Sequence, residues 1–135
     1  MIPSELREPD PRHVLGLRGE ELAEEALKRA GLRILDRRFR VRQGEIDLVA
    51  EEAGVLVFVE VKTRSSPSHA QPWEAVILRK QKRIIRAALA YLARRGGFER
   101  PCRFDVVEVL REGAGPGRVR HIRDAFRPRA ERDGV

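Results

Sequence analysis

The sequence predicts an α/β fold, a mixed central sheet with helices packed against it. Three features lead there. Amphipathic helical patterns bracket a run of β-rich segments, giving the order α-β-β-β-α-β-β. Residues 45–61 read as a β-hairpin, rich in Val, Ile, Leu and Phe on both sides of the short turn EEAG. No internal repeat or low-complexity linker divides the 135 residues, a length that buries a real core as one domain. The expected organisation is a flexible N-terminal segment over 1–12, where three prolines interrupt any periodicity, a single domain over 13–126, and a flexible charged tail over 127–135.

The first helix is expected over about 17–30, because Ala23, Ala26, Leu27 and Ala30 recur at i, i+3, i+4 and i+7 and Gly31 supplies a stop. That stripe should face the sheet. Glu21 and Glu25 fall opposite it, whereas Glu20 lies on its flank, with Glu24 farther round the same side. Acids so placed also suit a plain solvated face near a helix N-terminus. Strands follow at about 33–41 (RILDRRFRV), 45–50 (EIDLVA) and 55–61 (VLVFVEV). A long helix runs from Pro72 or Trp73 to Arg95, with Pro72 near its start and Gly96 and Gly97 as its stop. Strands at 103–110 and near 118–123, separated by the turn EGAGPG, complete the order.

Alternation places charges on one face of the hairpin. In the third strand Val55, Val57, Val59 and Val61 share a face, leaving Leu56, Phe58, Glu60 and Lys62 on the other. In the second, Ile46, Leu48 and Ala50 share a face and Glu45, Asp47 and Val49 take the opposite one. With residues 51–54 as the loop, Ala50 pairs with Val55 and Asp47 lies diagonal to Glu60, about 7–8 Å away between backbones. Two strand carboxylates beside Lys62, with Glu20 nearby, make a hard, oxygen-rich site suited to Mg²⁺, whose Lewis acidity serves phosphodiester hydrolysis. The competing reading makes them partly solvated strand charges that discourage edge pairing.

Composition bounds partners and compartment. Lys and Arg number 28 against 21 Asp and Glu, a net charge of +7, which suits a polyanionic partner such as nucleic acid. On the long helix Arg79, Lys82, Arg83 and Arg86 cluster in one arc opposite Ile77, Leu78, Ile84, Ile85, Ala88, Leu89 and Leu92. A second cluster, Arg37, Arg38, Arg40 and Arg42, precedes the hairpin and is expected to track phosphates. Five Phe, one Trp and one Tyr are too few for extensive base stacking. Cys102 is the lone cysteine and no run approaches a membrane span, so a soluble, cytoplasmic protein with no membrane partner is expected. His13, His69 and His121 are scattered and read as surface or packing residues, and Gln81 as core-edge packing or a residue that orients the site.

The stretches RGEELAEEALKRAGLRIL, GEIDLVA, FVEVKTR, EAV at 74–76 and RFDVVEV resemble the YraN-like family of uncharacterised bacterial proteins over roughly residues 16–126. That family in turn resembles the PD-(D/E)XK nuclease superfamily, most closely the archaeal Holliday-junction resolvases. The resemblance implies a restriction-endonuclease-like αβββαβ core carrying a helix glutamate, a strand aspartate and an E-x-K strand motif. Carried onto this sequence, the aspartate is Asp47 in EID, the E-x-K pair is Glu60 and Lys62 in EVK, and the helix acid is Glu20. Glu20 keeps the resolvase-like distance to Gly31 and stands nearer the sheet, with Glu24 as its competitor. One departure is that Ile46 stands where the superfamily's PD motif has proline. The implied activity is a Mg²⁺- or Mn²⁺-dependent endodeoxyribonuclease with Asp47, Glu60 and Glu20 as metal ligands, acting on double-stranded or branched DNA. A homodimer is expected by the same resemblance. Fold does not dictate function, so two alternatives stand: a non-catalytic nucleic-acid-binding or assembly module on a nuclease-like fold, and a structural interaction protein with a vestigial pocket.

Overall fold

The computed structural model describes residues 11–64, 78–110 and 117–128. In chain order the elements are α1 (Pro11–Arg29), β1 (Arg33–Val41), β2 (Gly44–Glu52), β3 (Val55–Arg64), α2 (Leu78–Tyr91) with a π-helical continuation over Leu92–Gly96, β4 (Cys102–Leu110) and β5 (Arg118–Phe126). The five strands form one sheet in the order β1-β2-β3-β4-β5. All neighbours are antiparallel except β3 and β4, which run parallel across the crossover that contains α2. The fold is thus α/β, a mixed five-stranded sheet with a helix on each face, consistent with an αβββαβ-like core.

Alternation along the central strands builds two cores. Val57 and Val59 of β3, with Val107 and Val109 of β4, meet Ala23 and Leu27 of α1. Leu56 and Phe58, with Phe104 and Val106, meet Ile84, Ile85 and Ala88 of α2. Strands buried on both faces need near-continuous apolar runs, which VLVFV and FDVV supply. Tyr91 ties β1 to the second core: its ring meets Phe39 edge-on at 5.1 Å, and its hydroxyl donates to Asp36 at 2.7 Å.

Several boundaries differ from the expected ones. α1 starts at Pro11, where a proline at the first helical position loses no hydrogen bond, and the helix therefore begins before residue 17. β5 continues past Arg123 to Phe126, whose ring stacks on Phe104 at 5.0 Å. The anchor is Asp105, fully buried, which accepts from Arg103 Nε at 3.0 Å and the Asp124 amide at 2.9 Å and lies 2.7 Å from His121 Nε2. Burial opposes its charge, but the hydrogen bonds from His121, Arg103 and the Asp124 N–H outweigh that and hold the carboxyl below its ordinary range. His121 is therefore a packing histidine. His69, the start of the long helix with Pro72, Trp73 and Ile77, the turn EGAGPG at 111–116 and both chain ends lie outside the described residues.

The hairpin register needs correction. The loop is not residues 51–54 but the two residues Ala53 and Gly54, with φ of 50° and 84°, the left-handed pair that a tight primed turn requires. Glu52 pairs with Val55 and Ala50 with Val57, not Val55. The glutamates remain in the strand because arginines meet them: Arg33 and Arg100 on Glu51, Arg103 and Arg123 on Glu52. Among the described residues, no helix is long and apolar enough to cross a membrane.

Candidate active site

The two-residue shift carries Asp47 from a diagonal position to the level of Glu60. The β2–β3 ladder ends at Leu48↔Val59, and beyond it the Val61 amide donates to Asp47 Oδ2 at 2.8 Å. A side-chain carboxylate thus serves a strand N–H just past the end of the paired backbone. The same level breaks the alternation of β2: Ile46 packs in the α2 layer, whereas Leu48 and Ala50 pack in the α1 layer. The expectation that Ile46 shares a face with Leu48 is therefore corrected; at this level the facing strand β1 carries Arg38 with a left-handed φ of 52°.

Glu60 lies on the α2 face of β3 and is only 4% exposed. Lys80 of α2 reaches it, Nζ to Oε1 at 2.5 Å. Burial works against the Lys80 charge, but the hydrogen bond and charge of Glu60, with the charges of Asp47 and Glu45, raise its pKa overall. Asp47 is pushed up to about 7, first by burial and then by the charge of Glu60; the Val61 N–H opposes, while a Glu60 side-chain hydrogen bond and the charge of Glu20 add to the rise. Two carboxyls this close in a low-dielectric setting retain a proton or need a cation between them.

Glu20 and Glu24 are separated by their partners. Arg37 takes both oxygens of Glu24, Nε to Oε2 at 2.9 Å and Nη2 to Oε1, and Lys28 adds an ion pair at 3.2 Å. The Arg37 hydrogen bond, against the opposing effect of burial, holds Glu24 below its ordinary range. Arg38 meets Glu20 through one oxygen only, Nε and Nη2 lying 3.1 and 3.0 Å from Oε2. Glu24 is engaged by two ion pairs, whereas the charge of Glu20 acts on Asp47.

Both helices approach this region through glycines. A Cβ at Gly19 would lie 2.0 Å from Thr63 Oγ1 of β3, and one at Gly44 would lie 2.1 Å from the Arg83 carbonyl oxygen of α2. Gly19 precedes Glu20, and Gly44 opens the strand that carries Asp47. Close packing on the two faces thereby brings α1 and α2 against the same end of the hairpin.

The remaining candidates divide by their partners. Lys62 is half-buried on β3 and has no ion pair among the described residues. Gln81 is buried and its Nε2 has no hydrogen-bond partner among the described residues. Arg40 pairs with Glu45 at 3.1 Å, so with Arg37 and Arg38 engaged, Arg42 is the member of that cluster without an ion pair among the described residues. On α2, Arg79, Arg83 and Arg86 are exposed and Lys82 half-exposed, and these four form no ion pair among the described residues. Lys80 was missed by sequence reasoning because it is one basic residue among five on an acid-free helix, and only the docking of α2 singles it out. A cavity of about 570 Å³ opens elsewhere, between β4 and β5, lined by residues including Cys102, Arg103, Phe104 and Arg127; none of the acidic group lines it.

Fold and site define an α/β protein with a three-layer arrangement and a carboxylate pair where its central hairpin parts. The chain belongs to the uncharacterised protein family UPF0102, whose model matches residues 19–109. It is similar to the UPF0102 protein of Symbiobacterium thermophilum, 52% identical over 112 residues that cover 83% of this chain and 95% of the relative. A Geobacter sulfurreducens member is 46% identical over 113 residues, covering 84% and 88%, and a Chlorobium phaeobacteroides member is 47% identical over 119, covering 84% and 94%. This is the family to which the sequence motifs pointed.

Proposed function

We propose that this protein is a Mg²⁺- or Mn²⁺-dependent endonuclease that hydrolyses phosphodiester bonds of DNA, branched DNA among its substrates, in the cytoplasm. The observation that carries the reading is the placing of Asp47, held by the Val61 amide, at the level of buried Glu60, with the Asp47 carboxyl pushed up to about 7 by burial and the Glu60 charge. Such a pair is poorly stable as two bare anions and suits a hard divalent cation, which replaces the proton. The donor set fits: Asp47 and Glu60 supply two carboxylates, and Glu20 lies near enough for its charge to act on Asp47. Among the described residues the three acids do not already stand as one metal-sized cluster.

A divalent ion held there supplies Lewis acidity toward a scissile phosphate and acidifies water at the site. The chain's own groups do the rest. Lys62, lacking an ion pair among the described residues, presents its ammonium as a point charge to a phosphate oxygen. Lys80 fixes the Glu60 rotamer, and the Val61 N–H fixes that of Asp47. The α2 face of Arg79, Lys82, Arg83 and Arg86, with Arg42, binds the DNA backbone without sequence preference.

The second reading, a non-catalytic nucleic-acid-binding module, is favoured by the ion pairs that occupy Glu20 and Glu60. Mn²⁺ titration of thermal unfolding decides between them. The nuclease reading expects Mn²⁺ to raise the melting temperature of wild type and not of Asp47→Ala; equal responses would remove the metal site. Cleavage assays on branched and linear DNA with the same two proteins then test activity. Equal DNA binding with no cutting by either assigns the binding module.

A further inference from the structure

β1 and β2 change face together. Arg37 and Leu48 are paired, and both serve the α1 layer, Arg37 through Glu24. Two residues on, Phe39 and Ile46 are paired, and both pack in the α2 layer. The residue between them on β2 is Asp47; on β1 it is Arg38, whose φ of 52° lies in the left-handed region. A non-glycine residue there is strained, and Arg38 is exposed, with no burial to offset the strain. The kink sends its guanidinium to Glu20 on α1.

That contact differs from its neighbour. Arg37 closes on both oxygens of Glu24, whereas Arg38 holds only Oε2 of Glu20 and leaves Oε1 without a hydrogen bond among the described residues. The Arg38–Glu20 pair is also solvent-accessible, with side chains 43% and 29% exposed, so its release costs little. We propose that Arg38 is a positioning residue that keeps Glu20 out of the metal shell in the metal-free protein, and that a divalent cation arriving at Asp47 and Glu60 draws Glu20 away from it. The proposal rests on the metal reading above. Arg38 thereby sets how tightly the cation is held: it neutralises the third acid while the site is empty and competes with the cation for that acid afterwards.

The test is calorimetric titration of EDTA-stripped protein with Mn²⁺, without DNA. Arg38→Gly accepts the left-handed backbone without strain, and Arg38→Asn tolerates it, so both variants are expected to fold, as melting without metal verifies. Each should bind Mn²⁺ about three- to tenfold more tightly than wild type, through loss of a competing ion pair and of a like charge near the cation. In a Glu20→Gln background the gain from Arg38→Gly should shrink to about twofold or less, because the competition runs through Glu20. Saturable Mn²⁺ binding with equal or weaker affinity in the Arg38 variants overturns the proposal and leaves the metal reading standing. A gain that persists in full with Glu20→Gln likewise overturns it. Absence of binding in wild type and in both Arg38 variants overturns the proposal and the metal reading together, whereas binding by the variants alone supports both.

Discussion

Asp47 is the most strongly perturbed acid of the candidate site, and its protonation makes stability depend on pH. Its folded pKa of about 7 lies above the unfolded value near 4, so between those pH values the folded chain holds a proton that the unfolded chain has lost. The stabilisation is fully present below about pH 4 and is lost as pH rises through about 7, an effect on the order of 4 kcal/mol at most. Glu24, Asp36, Glu52, Asp105 and Asp124, all held below their ordinary range, act in the opposite sense and only as pH falls below about 4. Urea unfolding at pH 5 and pH 8 separates the two. Wild type should be less stable at pH 8, and Asp47→Asn should lose most of that difference; an identical pH profile in both proteins would remove the buried pair. Asp47, Glu60 and Lys62 stand out in the sequence as charges in otherwise apolar strands, and it is the family resemblance, not the spacing, that marks them as a candidate site. Lys80 and Arg38 do not stand out, since one depends on where a helix docks and the other on a single backbone angle.

Among the elements, the two glycine approaches fix where α1 and α2 rest against the hairpin. Gly19→Ala gains helix propensity but drives a methyl onto Thr63, and a net loss of about 1–3 kcal/mol is expected. Adding Thr63→Ala should restore most of it, because the obstructing atom belongs to that side chain. Gly44→Ala meets the Arg83 backbone carbonyl, which no side-chain truncation removes, so its loss should exceed that of Gly19→Ala. Thermal melts of wild type, Gly19→Ala, Thr63→Ala, their double variant and Gly44→Ala check this; additive effects of Gly19→Ala and Thr63→Ala would contradict the contact. Strand existence was readable from alternation and β-branched content, but register was not. The pattern EEAG admits two loop lengths, and the longer-strand solution wins because Glu51 and Glu52 find arginines on neighbouring strands. That two-residue shift preserved parity, so the faces of β3 were read correctly although the pairing was not.

For the whole molecule, charge is arranged unevenly. Many of the arginines around the sheet are spent on carboxylates, whereas α2 carries Arg79, Lys80, Lys82, Arg83 and Arg86 without an acid over its length. Like charges at i, i+3 and i, i+4 destabilise a helix, so the arrangement costs stability and fits contact with a polyanion. Neutralising Arg79, Lys82, Arg83 and Arg86 together should weaken DNA binding and reduce the slope of log K against log salt by up to about 3.6. An unchanged slope would discard this surface. The acidic site and this basic helix meet at Lys80, the cation of α2 that turns inward to Glu60. The most direct test of the metal reading is an anomalous-scattering map from crystals soaked in Mn²⁺. A peak is expected about 2.1 Å from a carboxylate oxygen of Asp47 and of Glu60, with Glu20 turned from Arg38 toward it. Crystals with Mn²⁺ bound elsewhere, and Asp47 and Glu60 still joined without density between them, would contradict the metal reading.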